Sequence, residues 1–228
     1  MNVCEVFYSI QGEGKYAGVP SAFVRTSGCN LRCTWCDTPY TSWDAKGDPL
    51  KTDDILKRIS GYPTKHVVVT GGEPLLAPDV TDLTSHLRAA GYHITIETAA
   101  TIWREVTFDL ASLSPKLANS TPWHRDGGRW AERHERARIN VEVIRRFMAS
   151  GDYQLKFVVQ TAEDLDEIDR LLEQLGVHEP GNVLLMPEGR TRGELAGRAR
   201  SVAELCLKRG FRYCPRLHIE LYGQTPST

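Results

Sequence analysis

The sequence lacks a surplus of charge of either sign: 28 Lys and Arg stand against 29 Asp and Glu in 228 residues. A polyanion binder normally carries a basic excess or a one-sided basic run, so nucleic acid is excluded as the expected partner. No stretch reaches the roughly 18 apolar residues of a membrane helix, and no membrane association is expected. The opening Met1-Asn2-Val3-Cys4-Glu5 has no basic segment followed by an apolar one. It therefore does not read as a secretion signal, and a cytoplasmic location is expected. Repeats and low-complexity tracts are also missing. With 41% hydrophobic residues, 19 Gly and 12 Pro, the composition suits one compact domain spanning residues 1–228.

What is present is an alternation of strand and helix signals. Val3 to Ile10 and Ser21 to Ser27 are β-rich and separated by the turn Gln11-Gly12-Glu13-Gly14. Thr52 is a candidate cap for a helix with Ile55, Leu56 and Ile59 on its apolar side. His66 to Thr70 is an almost wholly apolar run, as in a strand buried on both faces of a parallel sheet. Val80, Leu83 and Leu87 repeat at helical spacing, and His93 to Thr98 and Phe108 to Ser114 read as strands. The second half continues with a helix over Ile139 to Met148, a strand over Leu155 to Gln160 and a helix begun at Thr161 and Asp164. A strand over Val183 to Met186 follows, then a helix opened by the box Thr191-Arg192-Gly193-Glu194, and Phe211 to Leu221 is read as extended. Such βα units close most readily into a parallel sheet with helices outside. About six units are too few for an eight-fold barrel. The expected fold is therefore an α/β incomplete, open (β/α)6-like barrel, with its site at the carboxyl ends of the strands. Residues 119–134 break the rhythm as a polar insertion holding Trp123, Trp130 and several arginines, expected to be solvated more than a lid.

Three of the six cysteines fall in one short loop, Cys29-x3-Cys33-x2-Cys36, whereas Cys4, Cys206 and Cys214 read as buried apolar residues. Three thiolates can hold three corners of a metal site and leave a fourth position free. Zinc would need a further ligand, for which His66 and Cys214 are candidates, and an iron–sulfur cube with one open iron uses the missing ligand as a working part. Thr70-Gly71-Gly72-Glu73-Pro74 follows an apolar strand, where it is either a tight turn or a place for close backbone approach to a ligand.

The cysteine spacing after the opening strands, with Trp35 before the last cysteine, resembles the radical S-adenosylmethionine enzymes. That resemblance implies a [4Fe-4S] cluster on Cys29, Cys33 and Cys36, and S-adenosylmethionine on its open iron as the source of a deoxyadenosyl radical. It also implies methionine-amino recognition by Gly71, Gly72 and Glu73. Within that superfamily, Ser9-Ile10-Gln11-Gly12-Glu13-Gly14, Phe23-Val24-Arg25, Cys36-Asp37-Thr38, Ser114-Pro115-Lys116, Lys156-Phe157-Val158 and Met186-Pro187-Glu188-Gly189 resemble the 7-carboxy-7-deazaguanine synthases, in the same order along most of the chain. The likeness implies a carbon–nitrogen lyase. It would contract 6-carboxy-5,6,7,8-tetrahydropterin to 7-carboxy-7-deazaguanine with loss of ammonia, on the route to queuosine and other 7-deazapurines.

Carried over residue by residue, the likeness assigns S-adenosylmethionine contacts to Trp35, Cys36, Asp37, Gly71, Gly72, Glu73, Ser114, Pro115, Lys116, Met186, Pro187, Glu188 and Gly189. Thr38 is assigned to Mg2+, and Ile10, Gln11, Gly12, Glu13, Arg25, Thr70 and His218 to the pterin. On chemical grounds an amide edge at Gln11 can read a pterin, and the Arg25 fork can pair with a carboxylate. Thr38 offers the neutral oxygen that Mg2+ accepts. The family further implies a homodimer and an electron donor such as flavodoxin or ferredoxin. One departure is Ala99-Ala100, where many relatives carry Asn-Gly, which puts the turn there in doubt. Two rivals remain open at this level: another radical S-adenosylmethionine enzyme such as a glycyl-radical activase, and a non-catalytic zinc-stabilised interaction module.

Overall fold

In the computed structural model, which describes residues 1–176 and 179–228, a nine-stranded sheet forms the frame. Its strands are β1 (Asn2–Ile10), β2 (Pro20–Thr26), β3 (Asp48–Pro49), β4 (His66–Gly71), β5 (His93–Thr98), β6 (Leu110–Leu113), β7 (Tyr153–Val159), β8 (Val183–Pro187) and β9 (Arg212–Tyr213), in the order 3-1-2-4-5-6-7-8-9. β1 pairs antiparallel with both β2 and β3, and every pairing from β2 to β9 is parallel. The two ends of the sheet do not pair, so the barrel is open and incomplete, as expected.

Helices α1 (Thr52–Ser60), α2 (Val80–Ala89), α3 (Ala131–Ala137), α4 (Val141–Ser150), α5 (Asp164–Leu175), α6 (Arg192–Arg209) and α7 (Leu217–Tyr222) complete the chain. The main core lies between the helices and the outer face of the sheet, where Val67, Val69, Ile94, Ile96, Leu155, Phe157, Val183 and Leu185 meet Ile55, Leu83, Leu87, Phe147, Ile168 and Val202. Period-two alternation sends the intervening residues inward, where polar side chains such as Arg25, Thr70, Glu97, Gln154 and Lys156 stand beside two small apolar clusters, Phe7-Phe23-Val68 and Val158-Leu184-Met186-Cys214.

Several boundaries differ from the sequence reading. Thr52 is the first residue of α1 instead of its cap, and its hydroxyl donates to Asp82 at 2.6 Å. Thr161 likewise lies ahead of α5, whose Asp164 carboxylate accepts from the Gln160 and Thr161 amides at 2.7 and 3.1 Å. The capping box at Thr191 and Glu194 forms as expected. Residues 211–221 are not one extended run: β9 is two residues long, and His218 lies on α7. Cys206 and Cys214 are buried, but Cys4 is half-exposed and its thiol donates to the Lys46 carbonyl at 2.7 Å.

The insertion also departs from expectation. Instead of a solvated excursion it forms short 3-10 turns leading into α3 and lies against the cysteine loop. His134 of α3 is buried at 1% exposure.

Candidate active site

At the carboxyl ends of the parallel strands a cavity of about 240 Å³ opens, and Cys29, Cys33 and Cys36 all line it. The walls are built from registered inner-face positions. Arg25 of β2 pairs with Thr70 of β4. Glu97 of β5 pairs with Ser112 of β6, and Ser112 with Gln154 of β7. These residues form one polar tier across the sheet. Within it Thr70 Oγ1 donates to Glu97 Oε2 at 2.9 Å, Gln11 Nε2 to Glu97 Oε1 at 3.0 Å, and Gln154 Nε2 to Ser112 Oγ at 2.8 Å.

One side of the cavity is held by buried charge. Glu13 ion-pairs with Lys156 and, at 3.2 Å, with Arg216, which also pairs with Asp37 and donates to the Gly189 carbonyl at 2.6 Å. Burial alone would raise the Glu13 and Asp37 carboxyls, but Lys156 and Arg216 hold Glu13, and Arg216 holds Asp37, below the ordinary carboxylate range. Burial would lower Lys156, and Glu13 together with Glu97 raises it above the usual lysine value. His218, pushed down by burial against Arg216, stands beside this network. A side chain at Gly12 would collide with the His218 ring, its Cβ lying 2.0 Å from Nδ1, so glycine lets the turn at 11–14 approach α7.

The cysteine loop is held differently. It is bonded by neutral groups and by two guanidiniums that, among the described residues, pair with no carboxylate: Trp43 Nε1 donates to the Cys33 carbonyl at 3.0 Å, Trp35 Nε1 to the Asn119 carbonyl at 3.1 Å and the Thr34 amide to the Ser120 carbonyl at 2.8 Å, while Arg32 Nη1 donates to the Cys29 and Leu31 carbonyls at 2.6 and 2.8 Å and Arg125 Nη1 to the Thr34 carbonyl at 2.9 Å. The Arg32 amide donates to His134 Nδ1 at 3.0 Å, while Ser120 Oγ, 2.9 Å from Nε2, donates to the Leu117 carbonyl. That arrangement leaves Nε2 as the His134 donor and requires a neutral ring. Burial accordingly pushes His134 down to about 4. Burial pushes the free Cys29 thiol up to about 12 and raises Cys33 as well, with Lys116 acting against both shifts.

The Gly-Gly turn joins the two sides. A Cβ on Gly72 would lie 2.3 Å from the Gly28 carbonyl oxygen and 2.7 Å from that of Thr41, and one on Gly71, at φ +147°, 2.4 Å from that of Thr26. Only glycine lets β4 end this close to the cysteine loop. Glu73 is fully buried behind the wall, where its carboxylate accepts from Thr98 Oγ1 at 2.7 Å, the Ala99 amide at 3.0 Å and the Leu75 amide at 3.2 Å. Burial raises its carboxyl above the ordinary value despite these bonds. The Ala99-Ala100 segment keeps its turn, with Ala100 at φ +54°. A left-handed alanine costs on the order of 1 kcal/mol.

Of the residues singled out from the sequence, Ile10, Gln11, Gly12, Glu13, Arg25, Trp35, Asp37, Thr38, Thr70, Gly71, Gly72, Ser114, Lys116, Met186 and His218 line the cavity with the three cysteines. Glu73, Pro115, Pro187, Glu188 and Gly189 do not, and Glu188 instead pairs with Arg198 at 3.3 Å. Sequence reasoning gave no role to Glu97, Ser112, Lys156 or Arg216 and left open whether the Thr228 carboxylate reaches the pterin; all of these, with residues 223–228, line the cavity. A polar residue at every second position of β7, Gln154 and Lys156, was the available signal.

The donor set fits an iron–sulfur cube better than zinc. Three soft thiols border one cavity. The proposed fourth zinc ligands lie elsewhere: His66 packs against Tyr16 and His93, and the Cys214 thiol accepts from the Gly14 amide at 3.1 Å. Among the described residues no three His, Cys, Asp or Glu side chains converge to hold a single ion, whereas a cube spreads its thiolates over separate irons.

Comparison with known proteins agrees with this geometry. Residues 23–121 match the radical SAM superfamily. A 7-carboxy-7-deazaguanine synthase from Halobacterium salinarum is 47% identical over 98% of this chain and 91% of its own length. One from Rhodopirellula baltica is 42% identical over 99% and 88%. The crystal structure of QueE from Escherichia coli superimposes with a TM-score of 0.72 at 27% identity, covering 95% of this chain and 94% of that one. By its identity to these relatives over nearly its whole length, the chain belongs to the 7-carboxy-7-deazaguanine synthase family of radical S-adenosylmethionine enzymes.

Proposed function

We propose that this chain contracts 6-carboxy-5,6,7,8-tetrahydropterin to 7-carboxy-7-deazaguanine with release of ammonia, in 7-deazapurine synthesis leading to products such as queuosine. The observation that carries the reading is a single cavity walled at once by the three motif cysteines, the Gly71-Gly72 turn and the polar tier of Gln11, Arg25, Thr70 and Glu97. When bound, the [4Fe-4S] cluster and S-adenosylmethionine supply hydrogen-atom abstraction from a carbon centre.

The chain's own residues do the rest. Cys29, Cys33 and Cys36 hold the cluster, and the hydrogen bonds behind their loop fix its backbone before any ligand arrives. Trp35, Gly71, Gly72, Ser114, Lys116 and Met186 present the surface for S-adenosylmethionine. Arg25 spends its Nε on Glu5 at 2.5 Å, and among the described residues its two Nη groups have no protein acceptor. They are available as a fork for the pterin carboxylate. Glu97 orients Gln11 and Thr70, so their remaining hydrogen-bonding groups meet the pterin edge in fixed directions. The Glu13–Lys156 and Arg216–Asp37 pairs supply preorganised charge that does not reorient during reaction. Thr38 offers a hydroxyl at the cavity wall for Mg2+, which would keep waters and gain the substrate carboxylate. A homodimer and a flavodoxin- or ferredoxin-type electron donor complete the reading.

The test is one anaerobic incubation of reconstituted protein with the carboxytetrahydropterin, S-adenosylmethionine, Mg2+ and dithionite, read by mass spectrometry. Carboxydeazaguanine is the expected product. Deoxyadenosine accumulating without it overturns the substrate assignment and leaves a radical S-adenosylmethionine enzyme of another kind, such as a glycyl-radical activase.

A further inference from the structure

The carboxylate behind Arg25 does not line the cavity, yet three separate pieces of the chain converge on it. Glu5 of β1 is the cross-strand partner of Arg25 on β2. Its Oε1 accepts from Arg25 Nε at 2.5 Å and from the Tyr40 hydroxyl at 2.9 Å, while Oε2 accepts from Ser227 Oγ at 2.6 Å. Tyr40 belongs to the 3-10 turn Pro39–Thr41, which directly follows Thr38. The Glu5 and Arg25 side chains keep only 13% and 16% of their surface in solvent. The guanidinium carbon also lies 5.5 Å from the Phe7 ring centroid, and Phe7 stacks on Phe23 at 4.8 Å.

A backbone irregularity brings this carboxylate to the inner side of the sheet. Val3 pairs with Thr26 and Glu5 with Arg25, so Cys4 is an extra residue in β1 and the register shifts there. Strict alternation would send Val3 and Glu5 to one face. With the bulge, Val3 joins the core beneath the helices, while Phe7, two residues after Glu5, lies in the inner cluster with Phe23 and Val68. Bulges commonly re-aim a side chain beside a site. An arginine side chain has several soft torsions, and a bond at Nε fixes the plane of its fork while leaving both Nη groups for a ligand.

We propose that Glu5 is a positioning residue for carboxylate recognition: by holding Arg25 Nε and the Tyr40 hydroxyl it sets the plane of the Arg25 fork, and its place relative to the turn after Thr38, before the substrate carboxylate arrives. The inference rests on the proposed function, which puts the pterin carboxylate on that fork. Orientation fixed in advance lowers the ordering cost of a bidentate contact. The guanidinium then lies between two anions, Glu5 at Nε and the ligand at Nη. Glu5→Gln keeps an acceptor for Nε without the charge, whereas Glu5→Ala removes both, so the two substitutions separate geometry from charge.

The experiment is anaerobic calorimetry on the reconstituted holoenzyme with S-adenosylmethionine and Mg2+. Its ligands are 6-carboxypterin, an oxidised relative of the proposed substrate, and pterin, which lacks the carboxylate. Glu5→Ala is expected to weaken 6-carboxypterin about tenfold or more and to leave pterin affinity within about twofold. A purely structural role would weaken both ligands alike. Glu5→Gln is expected to recover most of the loss, to within about threefold of wild type. In an Arg25→Ala background Glu5→Ala adds no further loss, since the fork it positions is gone. Where Glu5→Ala fails to fold or to hold iron, Glu5→Asp, shorter by one methylene, takes its place, with a loss of about threefold or more confined to 6-carboxypterin. Wild-type affinity for 6-carboxypterin in the Glu5→Ala or Glu5→Asp variant overturns the proposal, and so does a loss that persists undiminished without Arg25. A wild-type protein that binds the two pterins equally overturns the proposed substrate contact as well, whereas one that prefers 6-carboxypterin, beside indifferent Glu5 variants, overturns this inference alone.

Discussion

The two walls of the cavity are built on opposite principles. The wall at Glu13, Lys156, Arg216 and Asp37 consists of two buried cations facing a largely buried Glu13 and a partly exposed Asp37, which neutralise one another. They draw together pieces of chain from the first turn, the cysteine loop, β7 and the segment before α7. The wall behind the cysteines carries almost no paired charge and is fixed by backbone groups, indole N–H groups, a neutral histidine and the Arg32 and Arg125 guanidiniums, which donate to backbone carbonyls. The difference follows from what each must do. A wall that presents polar groups to a substrate gains direction from fixed ion pairs, whereas the loop that must accept three thiolates is held through its backbone, by neutral donors and by guanidiniums not tied to a carboxylate among the described residues. The walls should also fail differently. Breaking one ion pair strands a buried charge, whereas deleting a neutral hydrogen bond costs little by comparison.

The comparison can be broken most severely at the cysteines. Cys33→Ala is expected to abolish both iron content and turnover, measured by iron and sulfide analysis beside product formation, and a variant retaining full iron would refute the ligand assignment. Next comes Arg216→Met, which leaves Glu13 with Lys156 alone and Asp37 without a cation. A loss of about 3–5 kcal/mol in urea unfolding is expected, and a loss under about 1 kcal/mol would show that the charged wall is not rigidly coupled. Arg25→Ala should keep the cluster, seen in its visible absorption, and raise the KM for the pterin about tenfold or more by removing a charge-assisted fork.

On the wall behind the cysteines the effects are smaller. The folded His134 value, near 4, lies below that of an unfolded histidine at about 6.5. Its neutral ring therefore contributes stability that is complete above the unfolded value and is lost as pH falls from there toward 4. In that window the unfolded chain binds a proton that the folded one refuses, giving a slope of about 1 kcal/mol per pH unit. His134→Gln should flatten that slope in denaturation curves taken between these limits, and an unchanged slope would place the titration elsewhere. Arg125→Ala, which removes a stack on Trp43 and a bond to Thr34, should cost only about 1 kcal/mol.

The alternation of strands and helices was legible because each parallel strand is a short apolar run bounded by turn residues, and the cysteine loop and Gly-Gly turn because their spacing is local. Arg216, Lys156 and Glu97 were not, since their partners lie far away in sequence and only the closed sheet brings them together. Alternation over Leu217, Ile219 and Leu221 imitates a strand, yet α7 buries Ile219 and leaves Leu221 and Tyr222 largely in solvent. A run of five alternating residues does not separate the two periods. The insertion looked solvated from its arginine count, and the structure sets Arg125 3.9 Å from the Trp43 ring centroid and Arg129 and Arg133 within 6 Å of that of Trp130, where side-chain stems pack while charge stays in solvent.

The missing Cβ atoms at Gly71 and Gly72 reach beyond the motif that contains them. Because the carbonyls of Thr26, Gly28 and Thr41 occupy the space those atoms would fill, two sequence signatures some forty residues apart are halves of a single mould. A chimera that grafts either half from a distant homologue inherits the other half's shape as a constraint, so the pair has to be transplanted together for the graft to close.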